Sequence, residues 1–120
     1  MAVTESFRGF ILEQLEQAAR GVRAKAMFGG VGIYAEDTFF ALIANDVLYF
    51  KVDDQTRPKY SEMGMQPFRP FGEAGEAMKY YAVPISVMED RDVLRLWVAD
   101  AIAVGRRAAQ TPLRSGRRPR

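Results

Sequence analysis

"AMFGGVGIYAEDTFFALIANDVLYFKV", residues 26–52, is the stretch on which the fold turns. Three runs rich in aromatic and β-branched residues, "AMFGGVGIYAE", "TFFALIA" and "VLYFKV", are separated by Glu36-Asp37 and Asn45-Asp46. Both pairs tolerate the tight turns of hairpins, so the spacing predicts a three-stranded antiparallel meander. In the second run Phe39, Ala41 and Ile43 share one face and Phe40 and Leu42 the other. In the third, Leu48 and Phe50 point one way, and Val47, Tyr49 and Lys51 the other. Such two-sided apolarity calls for cover on both faces, helices on one side and a partner subunit on the other.

The glycines at the head of the stretch invite a nucleotide reading, which their context removes. A dinucleotide fingerprint needs G-x-G-x-x-G between a strand and a helix, and a P-loop needs G-x-x-x-x-G-K-[ST]. Gly29, Gly30 and Gly32 are spaced G-G-x-G, no Lys-Ser/Thr follows, and the next element is another strand. Phosphate cradling also draws on helix N-terminal amides, and no helix begins here. The expectation is a bulge, a bend or a close backbone approach within the first strand.

Upstream, "TESFRGFILEQLEQAARGVRAK" reads as an amphipathic helix, with Phe7, Phe10, Ile11, Leu15, Ala18 and Val22 at three- and four-residue spacing. Thr4 is placed as its N-cap and Gly21 at its left-handed end. Downstream, "DDQTRPKYSEMGM" predicts a short helix with Pro58 in its first turn and Gly64 at its end. "MQPFRPF" and "EAMKYYAVP" read as two further strands around "GEAGEA", the first demoted to an edge by Pro67 and Pro70. "PISVMEDRDVLRLWVADAIAVGRRAA" predicts one long helix whose Ser86 and Glu89 have capping-box spacing. The order is α-β-β-β-α-β-β-α, an α+β two-layer sandwich with an antiparallel sheet. The domain spans residues 1–107, followed by an Arg-rich flexible tail over 108–120.

The composition bounds the chemistry. At 120 residues and 48% hydrophobic, the chain fits one domain with a real core. No apolar run is long enough to span a membrane, and "MAVTESFRGF" lacks the pattern of a secretory signal, so a cytoplasmic protein is expected. Without Cys or His, disulfides, thiol catalysis, Cys/His zinc sites and a Ser-His-Asp triad are excluded. The carboxylate groups Asp53-Asp54, Glu73 with Glu76, and Glu89-Asp90 with Asp92 lack metal-binding spacing and read as caps and turn residues. No cofactor, no metal and no catalytic residue is expected. Six Arg and no acid fall in residues 106–120, which leaves eleven of the 17 bases against all 15 acids in residues 1–105, a net charge of −4. The folded body is therefore acidic.

Aromatics interleaved with bases are the remaining signal. Tyr34, Lys51, Arg57, Lys59, Phe68, Arg69 and Tyr81 are placed as an interaction surface, because Tyr and Phe beside Lys and Arg suit a protein interface. The same mixture can stack on bases, and an Arg tail binds polyanions, so nucleic-acid binding through the tail with Lys51, Arg57 and Lys59 is the alternative, with small-molecule binding a third.

Three motifs in order resemble the N-terminal domain of the TfoX/Sxy family: Met27-Phe28-Gly29-Gly30-x-Gly32, then Leu48-Tyr49-x-Lys51-x-Asp53, then Met78-x-Tyr80-Tyr81-x-x-Pro84. The resemblance covers about residues 7–107. It implies a fold like that of secretion chaperones and a bacterial regulator of DNA-uptake competence, whose full-length members act as transcriptional coactivators alongside the cAMP receptor protein. Those members carry a second, C-terminal helical domain, which this sequence lacks, so a stand-alone form is expected. The function expected is therefore a non-enzymatic protein-interaction domain, a transcription-associated cofactor with a protein partner in the transcription machinery, and self-association into a homodimer.

Overall fold

A computed structural model describes residues 3–27, 29–70 and 78–110 of the chain. Thr4 caps the first helix, α1 (Glu5–Ala18), by accepting the Phe7 N–H at 3.2 Å on its hydroxyl. Four strands follow, β1 (Val22–Met27), β2 (Gly30–Ala35), β3 (Thr38–Ala44) and β4 (Val47–Lys51). The helix α2 (Arg57–Glu62), the strand β5 (Tyr80–Ala82) and the helices α3 (Ile85–Met88) and α4 (Arg91–Gln110) complete the order αββββαβαα. The strands form one antiparallel sheet in the order β1-β2-β3-β4-β5, so the fold is α+β.

Four local expectations are corrected. The first helix ends at Ala18, and residues 22–25, read as its continuation, form with Ala26 and Met27 an edge strand paired over its whole length with β2. The glycine stretch is not one strand but a hairpin. Gly29 sits in the turn at φ 79°, a conformation that costs a residue with a Cβ, while Phe28 lies outside the described residues. Residues 65–70 make no strand, and Phe71 lies outside the described residues. Prolines remove ladder donors there, and only a single bridge, Pro67 to Tyr81, forms, flanked by the Phe68 N–H to Tyr80 carbonyl bond at 2.8 Å. "GEAGEA" lies outside the described residues, as do 111–120. Finally, the last helix breaks after Met88. The cap of α4 is Asp90, whose Oδ1 accepts the N–H groups of Asp92 at 3.1 Å and Val93 at 3.2 Å, rather than a Ser86–Glu89 box.

A fifth correction concerns which side chains face inward. Ile33 pairs with Ala41 but Tyr34 pairs with Phe39, so Phe40 is the extra residue of a β-bulge. The bulge switches the side-chain phase along β3. Phe40, Ala41 and Ile43 all turn to the helices, and Phe39 and Leu42 to the other side. The β4 alternation holds as read, with Leu48 and Phe50 inward.

One hydrophobic cluster lies between the helices and this inner face, joining Ile11 and Leu15 of α1, Tyr60 of α2, and Leu94, Trp97 and Val98 of α4 to the strands. The turn Asn45-Asp46, at φ 51° and 55°, has the doubly left-handed form that suits a two-residue hairpin. The Asp46 carboxylate accepts from the Thr4 N–H at 2.8 Å and the Thr4 hydroxyl at 2.9 Å, tying that turn to the start of α1. At the other end of the helix layer, α4 lies directly on β3. A Cβ on Gly105 would stand 2.7 Å from Thr38 Cγ2 and 2.8 Å from the Phe39 carbonyl oxygen.

The contact at Gly105 gives a test in which two effects oppose. Helix propensity alone favours Gly105→Ala by about 1 kcal/mol. The clash with a β3 backbone oxygen, which cannot swing aside, costs about 1–3 kcal/mol. The expected result in calorimetry is a Tm lowered by a few degrees, and a raised Tm would contradict the close approach.

Candidate functional site

The side chains that alternate with the core residues emerge on the outer face of the sheet, away from every described helix. Tyr34 of β2 and Phe39 of β3 are cross-strand partners with ring centroids 5.1 Å apart, and Phe39 lies 5.9 Å from Tyr80 of β5. Lys51, paired with Tyr80 across β4 and β5, places its Nζ 4.9 Å from the Tyr80 ring centre and donates to the Tyr80 hydroxyl at 3.3 Å. Arg23 of β1 covers the Tyr34 ring at 4.8 Å. Tyr49 and Phe68 form a second aromatic pair at 5.0 Å. Gly32 makes this close arrangement feasible. A Cβ there would fall 2.5 Å from Met27 Cε and 3.0 Å from Phe39 Cε1, so both side chains lie across the space that it leaves.

The charges carried by the strands themselves have one sign, and Asp37, in the turn between β2 and β3, lies 3.9 Å from Arg23. The five strands contain no Asp or Glu, and their charged residues, Arg23, Lys25 and Lys51, all share the outer face. Lys79 adjoins them just before β5. Burial pushes the Lys51 ammonium below the ordinary lysine range, and the positive charge of Lys79 pushes it the same way. Burial, with a smaller contribution from Tyr34, raises the Tyr80 phenol to about 12. Burial also raises the Tyr49 phenol. A lysine held against the Tyr80 hydroxyl and ring face, with no carboxylate in the strands, is equipped to meet an anion that brings apolar surface with it.

The surface read from the sequence therefore divides. Tyr34, Lys51 and Phe68 are brought together on the outer face. Arg57 is instead paired with Asp54 at 2.6 Å. Lys59 is paired with Asp100 at 2.5 Å and lies 4.5 Å from the Trp97 ring, pinning α2 to α4. Tyr81 turns inward, 6.0 Å from Tyr60. Arg69 is exposed just beyond Phe68. Phe39 and Arg23 were missed as surface residues. The bulge at Phe40 hides the phase of Phe39, and Arg23 stands in the stretch that reads as helix, so neither carries a sequence signal for this face.

The motif residues are mostly architectural. Gly30 packs against the Ile43 carbonyl, where a Cβ would stand 2.5 Å away. Leu48 is in the core, and Pro84 starts α3. Met78 is exposed and donates its N–H to the Phe68 carbonyl at 2.8 Å. Asp53 organises the turn into α2, accepting the N–H groups of Gln55 and Thr56 at 3.0 and 3.1 Å, and pairs with Arg107 of α4 at 2.5 Å. Burial works to raise its carboxyl, but these hydrogen bonds and the Arg107 charge outweigh that and hold it below its ordinary value.

Tyr80 supplies a pH test. Its phenol keeps its proton in the fold up to about 12, while the unfolded chain releases it near 10, so the native state binds more protons in between. The contribution is fully present below pH 10 and is lost as pH rises toward 12. An absorbance titration at the phenolate band should show one tyrosine ionising near pH 12 that is missing in Tyr80→Phe. Identical titration curves would contradict the packing.

The model of the TfoX N-terminal domain family matches residues 13–104, from the middle of α1 to Val104 in α4, taking in all five strands. No curated protein matches the chain. Among the described residues, no helix is long and apolar enough to cross a membrane. With its three motifs placed in order on β1–β2, β4 and β5, and the match covering most of its length, the chain belongs to the TfoX N-terminal domain family.

Proposed function

We propose that the protein is a non-enzymatic interaction domain, a transcription-associated cofactor of the competence-regulator type, that works through the outer face of its sheet. The observation that carries the reading is charge segregation. A body with net charge −4 over residues 1–105 confines its strand charges to Arg23, Lys25 and Lys51, set among Tyr34, Phe39, Tyr49, Phe68 and Tyr80. The occupant that fits is an acidic protein surface carrying apolar side chains, here assigned to the transcription machinery, which places the protein in the cytoplasm. Aromatic and Arg-rich patches are enriched at such contacts, and charge complementarity speeds and orients the encounter. A second copy fits this face less well than a different protein. Face-to-face pairing would bring the Arg23, Lys25 and Lys51 groups of two copies together.

The acidic body also sets the preference over nucleic acid, since a polyanion reaching well beyond the face meets a body of net charge −4 over residues 1–105. Affinity capture from native cells, with and without nuclease, separates the two. The expected outcome is capture of a transcription protein that survives nuclease and falls about tenfold or more in the double variant Tyr49→Ala/Phe68→Ala. Capture abolished by nuclease, or unchanged in that variant, would overturn the reading.

A further inference from the structure

The edge of the sheet at β1 is a second surface, which borders the outer face and shares Arg23 and Lys25 with it. Among the described residues β1 pairs only with β2, in an unbroken register from Val22–Ala35 to Met27–Gly30, with no bulge and no proline. In an antiparallel ladder every second residue of such a strand turns its N–H and C=O away from its neighbour, so the far side of β1 carries a row of donors and acceptors. Its side chains alternate strictly. Val22 and Ala24 pack against the core, and Arg23 and Lys25 stand exposed on the outer face.

The helix layer leaves room beside this edge. The first turn of α1 is held at the β3–β4 turn by Thr4 and Asp46, whereas its last turn leads through Gly21 into the start of β1. The helix therefore runs diagonally and stands away from the far end of β1. An open cleft of about 490 Å³ lies there, lined by Val3, Glu5, Arg8, Ala26, Met27 and Val31 among others. Ala26, on the helix side of β1, is exposed beside it.

We propose that β1 takes up an extended segment of a partner protein as a sixth strand, one in which acidic and apolar residues alternate. Its main chain pairs with the free edge. Its acids lie beside Arg23 and Lys25 on the outer side, and its apolar side chains turn toward Ala24, Ala26 and the cleft. Charge decides against self-pairing. Two β1 strands joined edge to edge with their core faces aligned set Arg23 and Lys25 of both copies side by side, an arrangement that natural edge strands use to prevent exactly such pairing. An acidic strand turns the same two residues into attractive cross-strand partners.

The test uses the full chain and three octapeptides: alternating Glu and Val, alternating Lys and Val, and four Glu followed by four Val. Only the alternating Glu/Val peptide is expected to bind, and it slows amide exchange in β1 by about tenfold or more. Arg23→Glu/Lys25→Glu is expected to reverse the preference toward the Lys/Val peptide with Tm nearly unchanged. Lys25→Glu alone, at an exposed position, should halve the discrimination on a logarithmic scale and stands in if the double variant unfolds. Equal binding of all three peptides, exchange in β1 that no peptide slows, or an unreversed preference would overturn the proposal. Slowing of β1 by an oligothymidylate in place of the peptide would overturn it in favour of nucleic acid. The Tyr49→Ala/Phe68→Ala variant should bind the Glu/Val peptide normally, which keeps this outcome separate from that of the outer-face reading.

Discussion

Gly105 lets α4 rest on the backbone of β3, and the rest of the arrangement follows from that contact. With α4 seated over the middle strands, Leu94, Trp97, Val98 and Ala101 meet Phe40, Ala41 and Phe50 in one cluster, and α1 and α2 close around it. Burial of these side chains contributes about 1.5–3 kcal/mol each for the larger ones. The ion pairs Lys59–Asp100 and Arg107–Asp53, partly exposed, contribute at most about 1 kcal/mol each and act chiefly to fix where α2 sits. The helix layer thereby covers the middle strands on one face, and the bases on α2 are used within it. Lys51, on the other face, is left among aromatic rings.

How much of this was legible depended on the strength of local patterns. The strands β3 and β4, the turns before each and the α+β class could be read directly, because aromatic and β-branched residues mark strands and Asn45-Asp46 marks a hairpin, whereas the first run conceals the β1–β2 turn. Strand β1 could not, because its inward residues Val22, Ala24 and Ala26 are mostly small. Alanine is as good in a helix, so the period of two was hidden behind the preceding helical stripe. The break before α4 was masked by competing caps. Ser86 and Glu89 have the right spacing, but Asp90 holds the N–H groups, and only three-dimensional context decides between them.

The site was half legible for a related reason. Tyr34, Lys51 and Phe68 were identified by type, and type alone also selected Arg57, Lys59 and Tyr81, which structure assigns to the helix side. Separating the groups requires knowing which strand face the helices cover, and both faces of β3 are apolar. The bulge at Phe40 compounds the difficulty, since an uninterrupted alternation puts Phe39 in the core and Phe40 outside, the reverse of what is found. A bulge leaves no mark in composition. The absence of acids from all five strands was present in the sequence throughout, but its meaning appeared only once the register put Arg23, Lys25 and Lys51 on one side.

A one-sided sheet is thus the physical basis of the proposed role. Glycines at 29, 30 and 32, rather than cradling a phosphate, form a turn and clear space for Ile43 on the neighbouring strand and for Met27 and Phe39 on the outer face. The claim that this face stands open is tested most directly by solvent paramagnetic relaxation with a soluble spin probe, read at the methyl groups of β3. The account predicts strong broadening of Leu42 on the outer face and little at its neighbour Ile43, which is fully buried beneath the helices. Equal protection of the two methyl sets would show both faces covered and would contradict it.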